Sequence, residues 1–155
     1  MKKLFLTMCV ALLSLGAYAQ QGAATIGVHG AFVLENNKNV GIGANIGYEF
    51  VENLRGVAEF DYYFKKDHVT GWEVDVNGEY LFRLAGGKFA VYPLVGVNVF
   101  GQKLEGFSGD SKVGLNLGGG VEIPVASTVA LKVEYTYKTQ WDGCSFLKAG
   151  VVIPF

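Results

Sequence analysis

The sequence predicts an all-β fold, an eight-stranded antiparallel up-and-down transmembrane β-barrel. Three observations carry that expectation. Apolar and polar residues alternate at period two almost without interruption from residue 25 to residue 155, as strands with two unlike faces require. Glycine is abundant, at 22 of 155 residues against three prolines, and each glycine costs a helix interior about 1 kcal/mol relative to alanine. Half of the residues are hydrophobic and only 17% are charged, yet beyond the N-terminus no apolar run reaches the roughly 18 residues of a membrane helix.

The N-terminus is read separately. Lys2 and Lys3 precede an apolar stretch over 4–16, and Ala17-Tyr18-Ala19 places small residues at a cleavage site, the pattern of a secretory signal peptide. The stretch is short of the roughly 20 residues needed to span a bilayer as a helix. Bulky Met8 before Cys9, with apolar residues continuing beyond, argues against a lipidated cysteine. The expected organisation is therefore a signal over 1–19, cleaved after Ala19, and one barrel domain over 20–155. The net charge of −1 becomes more negative by two when Lys2 and Lys3 leave, so no basic field for nucleic acid exists. Cys144 is then the only cysteine, which leaves no internal disulfide despite export.

The alternation resolves into strands near 25–34, 40–50, 54–64, 72–83, 89–100, 113–125, 130–138 and 145–155. Most are close to the 9 to 11 residues or so of a tilted membrane-spanning strand. Connections at 51–53, 84–88 and 126–129 are short, and those at 35–39, 65–71, 101–112 and 139–144 are generally longer. A membrane barrel has this asymmetry between its two sides, and eight strands put both chain ends on the short-turn side.

The faces separate a membrane barrel from a soluble one. In the seventh strand Leu131, Val133, Tyr135 and Tyr137 oppose Lys132, Glu134, Thr136 and Lys138; in the fourth, Trp72, Val74, Val76, Tyr80 and Phe82 oppose Glu73, Asp75, Asn77 and Glu79. A lipocalin-like barrel would turn the apolar face inward. The opposite orientation is favoured by three features. The last strand ends on Phe155, with Leu147, Ala149, Val151 and Ile153 on the same face. Aromatic residues gather at both ends: Tyr48, Phe50, Tyr80, Phe82, Phe89 and Phe155 at the short-turn end, and Phe32, Tyr62, Phe64, Trp72 and Tyr137 at the other, as interfacial girdles do. Finally, Gly27, Gly41, Gly43, Gly47, Gly96, Gly114, Gly118, Gly120 and Gly150 share the polar face, where a narrow lumen needs room for long charged side chains.

The Ala17-Tyr18-Ala19 signal, the alternating strands, the segment Tyr92-Pro93-Leu94-Val95-Gly96-Val97 and the terminal Phe155 together resemble a small outer-membrane barrel of the OmpA/OmpX type. The wider family is the opacity-protein-like porin family, or outer membrane protein β-barrel. The resemblance implies the outer membrane of a Gram-negative bacterium, and a terminal strand ending at Phe155 that the outer-membrane assembly machinery reads. The signal and the Gln20-Gln21 start resemble those of Bacteroidota. Members of the family include structural proteins, adhesins and a few lipid-modifying enzymes, so the resemblance implies an architecture rather than a role. No peptidoglycan-binding domain follows the barrel in this sequence.

The inward polar residues hold the densest chemistry: Arg55, Glu59, Asp61, Glu73, Asp75, Glu79, Lys132, Glu134 and Lys148, with Glu49, Arg83 and Glu122 nearby on the same faces. Buried charges must be paired or hydrated, so a salt-bridge and water network filling the lumen is expected. Folding the last hairpin about 139–144 sets Glu134 opposite Lys148. Folding about 65–71 sets Asp61 near Asp75, with Glu59 and Glu73 close, and like charges there repel unless a cation intervenes. Lysines or Arg55 from across the barrel, a retained proton, or calcium would relieve them, although no EF-hand spacing exists; no metal or cofactor is expected.

An enzyme is not expected either. The family's lipid A deacylases carry a His-x-Ser arrangement, whereas Gly30-Ala31 follows His29 and Val69-Thr70 follows His68. His29 reads as a lumen residue and His68 as a loop residue. Cys144 reads as a loop-edge thiol, with an intermolecular or redox role as its alternative. The outer loops, with Lys65, Lys66, Asp67, Lys103, Glu105, Phe107, Asp110, Lys112 and Trp141, offer either a binding surface or hydrated surface only. The expected function is a monomeric outer-membrane protein of structural or surface-interaction type with a plugged lumen, whose partners are outer-membrane lipids and lipopolysaccharide. A narrow channel is the alternative; a lipid-modifying enzyme or a soluble lipocalin-like binder ranks below it.

Overall fold

The computed structural model describes residues 23–35, 38–140 and 142–155. The signal segment, its cleavage site and Trp141 lie outside the described residues. The strands are β1 (Ala24–Val33), β2 (Val40–Val51), β3 (Leu54–Lys66), β4 (Val69–Tyr80), β5 (Phe82–Leu84), β6 (Phe89–Leu104), β7 (Asp110–Ala126), β8 (Val129–Lys138) and β9 (Cys144–Pro154). Every neighbouring pair is antiparallel. β4 and β5 keep one register on β6, with Glu79 opposite Leu94 and Phe82 opposite Val91, so they are two parts of a single stave and the barrel has eight. It closes where β1 pairs β9, and Ala24 and Phe155 exchange backbone hydrogen bonds of 3.3 and 2.9 Å. Closure leaves no unpaired edge, the condition for strands to lie in hydrocarbon.

The faces are as the alternation predicts. On β8, Leu131, Val133, Tyr135 and Tyr137 are 41% to 47% exposed, while Lys132, Glu134, Thr136 and Lys138 are at most 7% exposed. The apolar face is the outer one, opposite to a lipocalin. Aromatic pairs mark both rims: Tyr48 with Phe50 at 5.2 Å and Tyr80 with Phe82 at 4.9 Å at the short-turn end, and Tyr62 with Phe64 at 6.1 Å at the loop end. Inside, a Cβ at Gly43 would overlap both Asp61 Oδ1 and His29 Nε2, which explains a glycine there.

The loop end differs from expectation. β3 and β4 run on to a tight turn at Asp67-His68, whose φ angles of 49° and 65° are both left-handed. That conformation matches the twist of a two-residue hairpin. A bulge between Tyr63 and Lys66 adjusts the ladder. β6 and β7 likewise extend to Leu104 and from Asp110, because Val69 pairs Leu104 and Gln102 pairs Asp110. The expected loops at 65–71 and 101–112 are therefore largely strand, and the β3–β4 turn is as tight as the turns at the other end.

The outward placement of Val133 yields the first prediction. Val133→Arg brings a charge to the hydrocarbon face and should lower folding stability by about 2 to 4 kcal/mol near the midplane, measured by denaturant titration of the protein refolded in lipid vesicles. A variant as stable as the parent contradicts the face assignment.

Candidate functional site: the barrel lumen

Period-two geometry on eight staves directs one side chain in two to the axis, and the lumen collects nearly all the buried charge. β3 and β4 supply Glu59, Asp61, Glu73, Asp75 and Glu79; β8 and β9 supply Lys132, Lys138 and Lys148. The two groups stand on separate arcs of the wall and meet across the axis. Lys138 Nζ lies 2.6 Å from Glu73 Oε1 and 2.7 Å from Asp75 Oδ2. Lys148 Nζ lies 2.7 Å from Asp61 Oδ2 and 2.9 Å from Asp75 Oδ2. Lys132 Nζ lies 2.8 Å from Glu79 Oε1 and 3.1 Å from Glu134 Oε2. Arg55, on β3, joins Glu79 at 2.6 Å to Glu122 of β7 at 2.8 Å.

Imidazole, amide and hydroxyl groups extend the network. His29 Nε2 lies 2.7 Å from Asp61 Oδ1, and Asn45 Nδ2 lies 3.2 Å from His29 Nδ1, a pattern that fits a proton on Nε2. Asn116 Nδ2 donates to Asn77 Oδ1 at 2.7 Å and Asn77 Nδ2 to Glu59 Oε1 at 3.0 Å; Asn98 Nδ2 donates to Asn116 Oδ1. Tyr63 and Tyr92 hydroxyls donate to Glu73 and Glu134, each at 3.0 Å. A void of about 10 Å³ beside Glu59, Glu134 and Lys148 is the space of a single water. Near the short-turn rim, Arg83 pairs with Glu49 at 2.7 Å.

Apolar clusters lie towards both ends of this network. At the short-turn end Leu81, Ala90, Tyr92 and Leu94 pack together. At the loop end Tyr63 of β3 and Phe100 of β6, from the staves on either side of β4, meet Phe146 of β9 from the far wall, with ring centroids 5.6 to 6.3 Å apart and Ala31 beside them.

All nine residues expected in the lumen network are buried there, but two expected pairings are corrected. Glu134 and Lys148 are in register on β8 and β9, yet they do not form an ion pair among the described residues: Lys148 extends across the axis to Asp61 and Asp75, and Glu134 takes Lys132. A lysine has the reach to bridge two carboxylates, which a single neighbour does not match. On the β3–β4 hairpin Asp61 faces Glu73, and Glu59 faces Asp75, a shift of two residues from the expected Asp61–Asp75 register, one from the tight turn and one from the bulge between Tyr63 and Lys66. Asp61, Glu73 and Asp75 still bring carboxylate oxygens within 4.8 Å of one another, and the cations between them are Lys138 and Lys148.

Lys138 is the main omission of the sequence reading. It sits on the Lys132–Glu134–Thr136 face, and that alternation was the signal for it; its place at the strand end concealed how deep it lies, at 0% exposed. Tyr63 and Tyr92 are not singled out by the sequence, since an uncharged ring on the polar face carries no charge to mark it as part of an ion-pair network. His29 is in the lumen and His68 is exposed at the turn, as expected. At the surface Lys65 Nζ pairs Glu105 at 2.6 Å, and Phe107 is exposed.

An apolar outer band, aromatic rims and a charged interior on eight closed staves define a small transmembrane β-barrel. The chain belongs to the outer membrane protein β-barrel domain family, whose model matches residues 5–150. Solved structures agree on the fold. The N-terminal β-barrel domain of Pseudomonas aeruginosa OprF superposes with a TM-score of 0.71 at 18% identity, over 87% of this chain and 100% of that one. Neisserial surface protein A gives 0.69 at 20%, over 86% and 97%, and Ail, the attachment invasion locus protein of Yersinia pestis, gives 0.63 at 18%, over 86% and 97%. No curated protein matches the chain.

The cross-lumen pairing predicts an asymmetry between two variants. Lys138→Met strips a cation from two buried carboxylates and should cost about 3 to 5 kcal/mol. Glu134→Gln leaves Lys132 on Glu79 and should cost clearly less. Denaturant unfolding of both in lipid vesicles measures the order, and a reversed order contradicts the assignment of Lys138 as the central cation.

Proposed function

We propose that this protein is an integral outer-membrane barrel of structural or surface-interaction type, inserted as a monomer, with a lumen closed to solutes. The observation that carries the reading is the layer of Tyr63, Phe100 and Phe146 over the cross-braced ion pairs. An eight-stranded barrel has just enough interior for side chains, and here residues from opposite walls occupy it. The short-turn end, with both chain ends, faces the periplasm and the loop end faces outward. The outer apolar band meets lipid and lipopolysaccharide, and the exposed Phe155 on the closing stave is the feature offered to the assembly machinery. Cleavage of the signal after Ala19 belongs to the same reading.

A surface role is favoured over a catalytic one. His29 is held by Asp61 and Asn45 within the lumen, and His68 occupies a turn tip. Neither position suits acyl transfer, which needs a nucleophile and an oriented base in reach. Similar barrels are named for surface roles, such as the attachment invasion locus protein. Exposed Phe107 and the Lys65–Glu105 pair give the loop end here both apolar and charged contact groups.

Membrane fractionation, heat-modifiable migration in detergent gels and planar-bilayer recording test the proposal. The protein should fractionate with outer membranes, migrate differently after boiling and show no reproducible large conductance steps. Recovery in the soluble periplasmic fraction would sink the membrane assignment. Large steps would replace the closed lumen with the narrow-channel alternative.

A further inference from the structure

The closed wall has no free edge, but the strands that rise beyond it do. β1 stops at Val33, β2 starts at Val40, β8 stops at Lys138 and β9 starts at Cys144, whereas β3 and β4 run to Lys66 and Val69, and β6 and β7 to Leu104 and Asp110. Lys66 pairs Val69 and Val69 pairs Leu104, so the four longer strands continue as one sheet past their neighbours. Its β3 edge is covered by the β1–β2 turn: Asn39 Nδ2 donates to the Phe64 carbonyl at 3.1 Å, and Lys66 Nζ donates to the Lys38 carbonyl. Its β7 edge is open. Pairing with β8 ends at Asn116–Lys138, and Leu115 then makes the last contacts, its carbonyl accepting Thr139 N–H at 3.1 Å and its N–H donating to Thr139 Oγ1 at 2.9 Å. Backbone groups alternate in direction along a strand, so those of Val113 and Ser111 point as Leu115's do, to the side that β8 has left. Asp110 Oδ1 takes the Ser111 N–H at 2.9 Å; the Val113 N–H and both carbonyls have no hydrogen-bond partner among the described residues. Val113 is 74% exposed, against no more than 60% for any other described valine.

We infer that the β7 edge at Ser111–Val113 docks an extended polypeptide segment from outside the cell, which joins the protruding sheet as one more strand. An unpaired edge is a template for such addition, and its donors and acceptors recur at strand spacing, which a backbone matches and a sugar, lipid or ion does not. A second copy in the same membrane does not fit. Both β7 strands would descend from the loop end, a two-fold axis along the membrane normal keeps both descending, and strands tilted by about 40° then cross instead of pairing antiparallel. Outward Val113 and Leu115, both exposed, make an apolar row beside the added strand, so the docked segment is apolar at alternate residues. That the segment comes from outside rests on the outward loop end of the proposed function; the open edge does not.

Amide hydrogen exchange and chemical shifts of the isotope-labelled barrel in nanodiscs test this. In the free protein the Val113 amide should exchange fast, while those of Lys112 and Gly114, which point to β6, should be slow. A capped hexapeptide of alternating threonine and valine, at millimolar concentration, should slow exchange at Val113 and shift the Ser111 and Val113 amides. Val113→Pro removes the edge donor and leaves the ladder to β6 intact; its half-saturating peptide concentration, read at Ser111, should rise at least about fivefold, the scale of a lost hydrogen bond. Val113→Thr keeps the donor and should stay close to the parent. Heat-modifiable migration checks that both variants fold. A slow Val113 amide in the free barrel, no effect of the peptide there, or an unchanged half-saturating concentration in Val113→Pro overturns the inference. These readouts report the edge whichever way the barrel faces, so their failure is distinct from failure of the outward orientation, which antibody binding on intact cells to an epitope inserted after Ser108 tests.

Discussion

The attraction between the carboxylates of β3–β4 and the lysines of β8–β9 is the interaction on which the interior depends. Within their own hairpin, Asp61, Glu73 and Asp75 are like charges in close contact, and that arrangement is unfavourable by itself. Lys138 and Lys148 reverse the balance from the opposite arc. Each wall is electrostatically incomplete alone, so the pairs form only when the barrel closes. Ion pairs of this kind are weak evidence for stability, since desolvation offsets much of the Coulomb gain. Their consequence is specificity of closure: a barrel sheared differently would leave buried carboxylates without cations.

The same interior sets the glycine usage. Polar side chains packed inside the narrow lumen need small residues on the wall beside them, and Gly43 against Asp61 and His29 is such a place. The outer surface carries the opposite demand. Its exposed valines, leucines and isoleucines would be a liability in water, and they become the favourable surface in hydrocarbon, between aromatic rims at Tyr48–Phe50, Tyr80–Phe82 and Tyr62–Phe64. Polar contents and apolar exterior are thus one design, and the three-ring layer covers that polar interior at the loop end.

The sequence by itself determined the staves, their number and their two faces, because alternation is a local property of an extended chain: Val133 and Glu134 must point apart whatever their neighbours do. The nine residues that it marks on the inward face are buried in the structure. The tight Asp67-His68 turn shifted the β3–β4 register by one residue and the bulge between Tyr63 and Lys66 by one more; the even total preserves faces, which is why the inward set survived while the pairings changed. Only the tertiary structure decided who pairs with whom. Lys148 abandons its register partner Glu134 for Asp61 and Asp75, and Lys138 reaches the centre from a strand end, because side-chain reach across a closed, sheared barrel is a distance between residues far apart in sequence. The joining of Tyr63, Phe100 and Phe146 into one layer has the same origin: three staves bring them together, and no local pattern in the chain encodes their meeting.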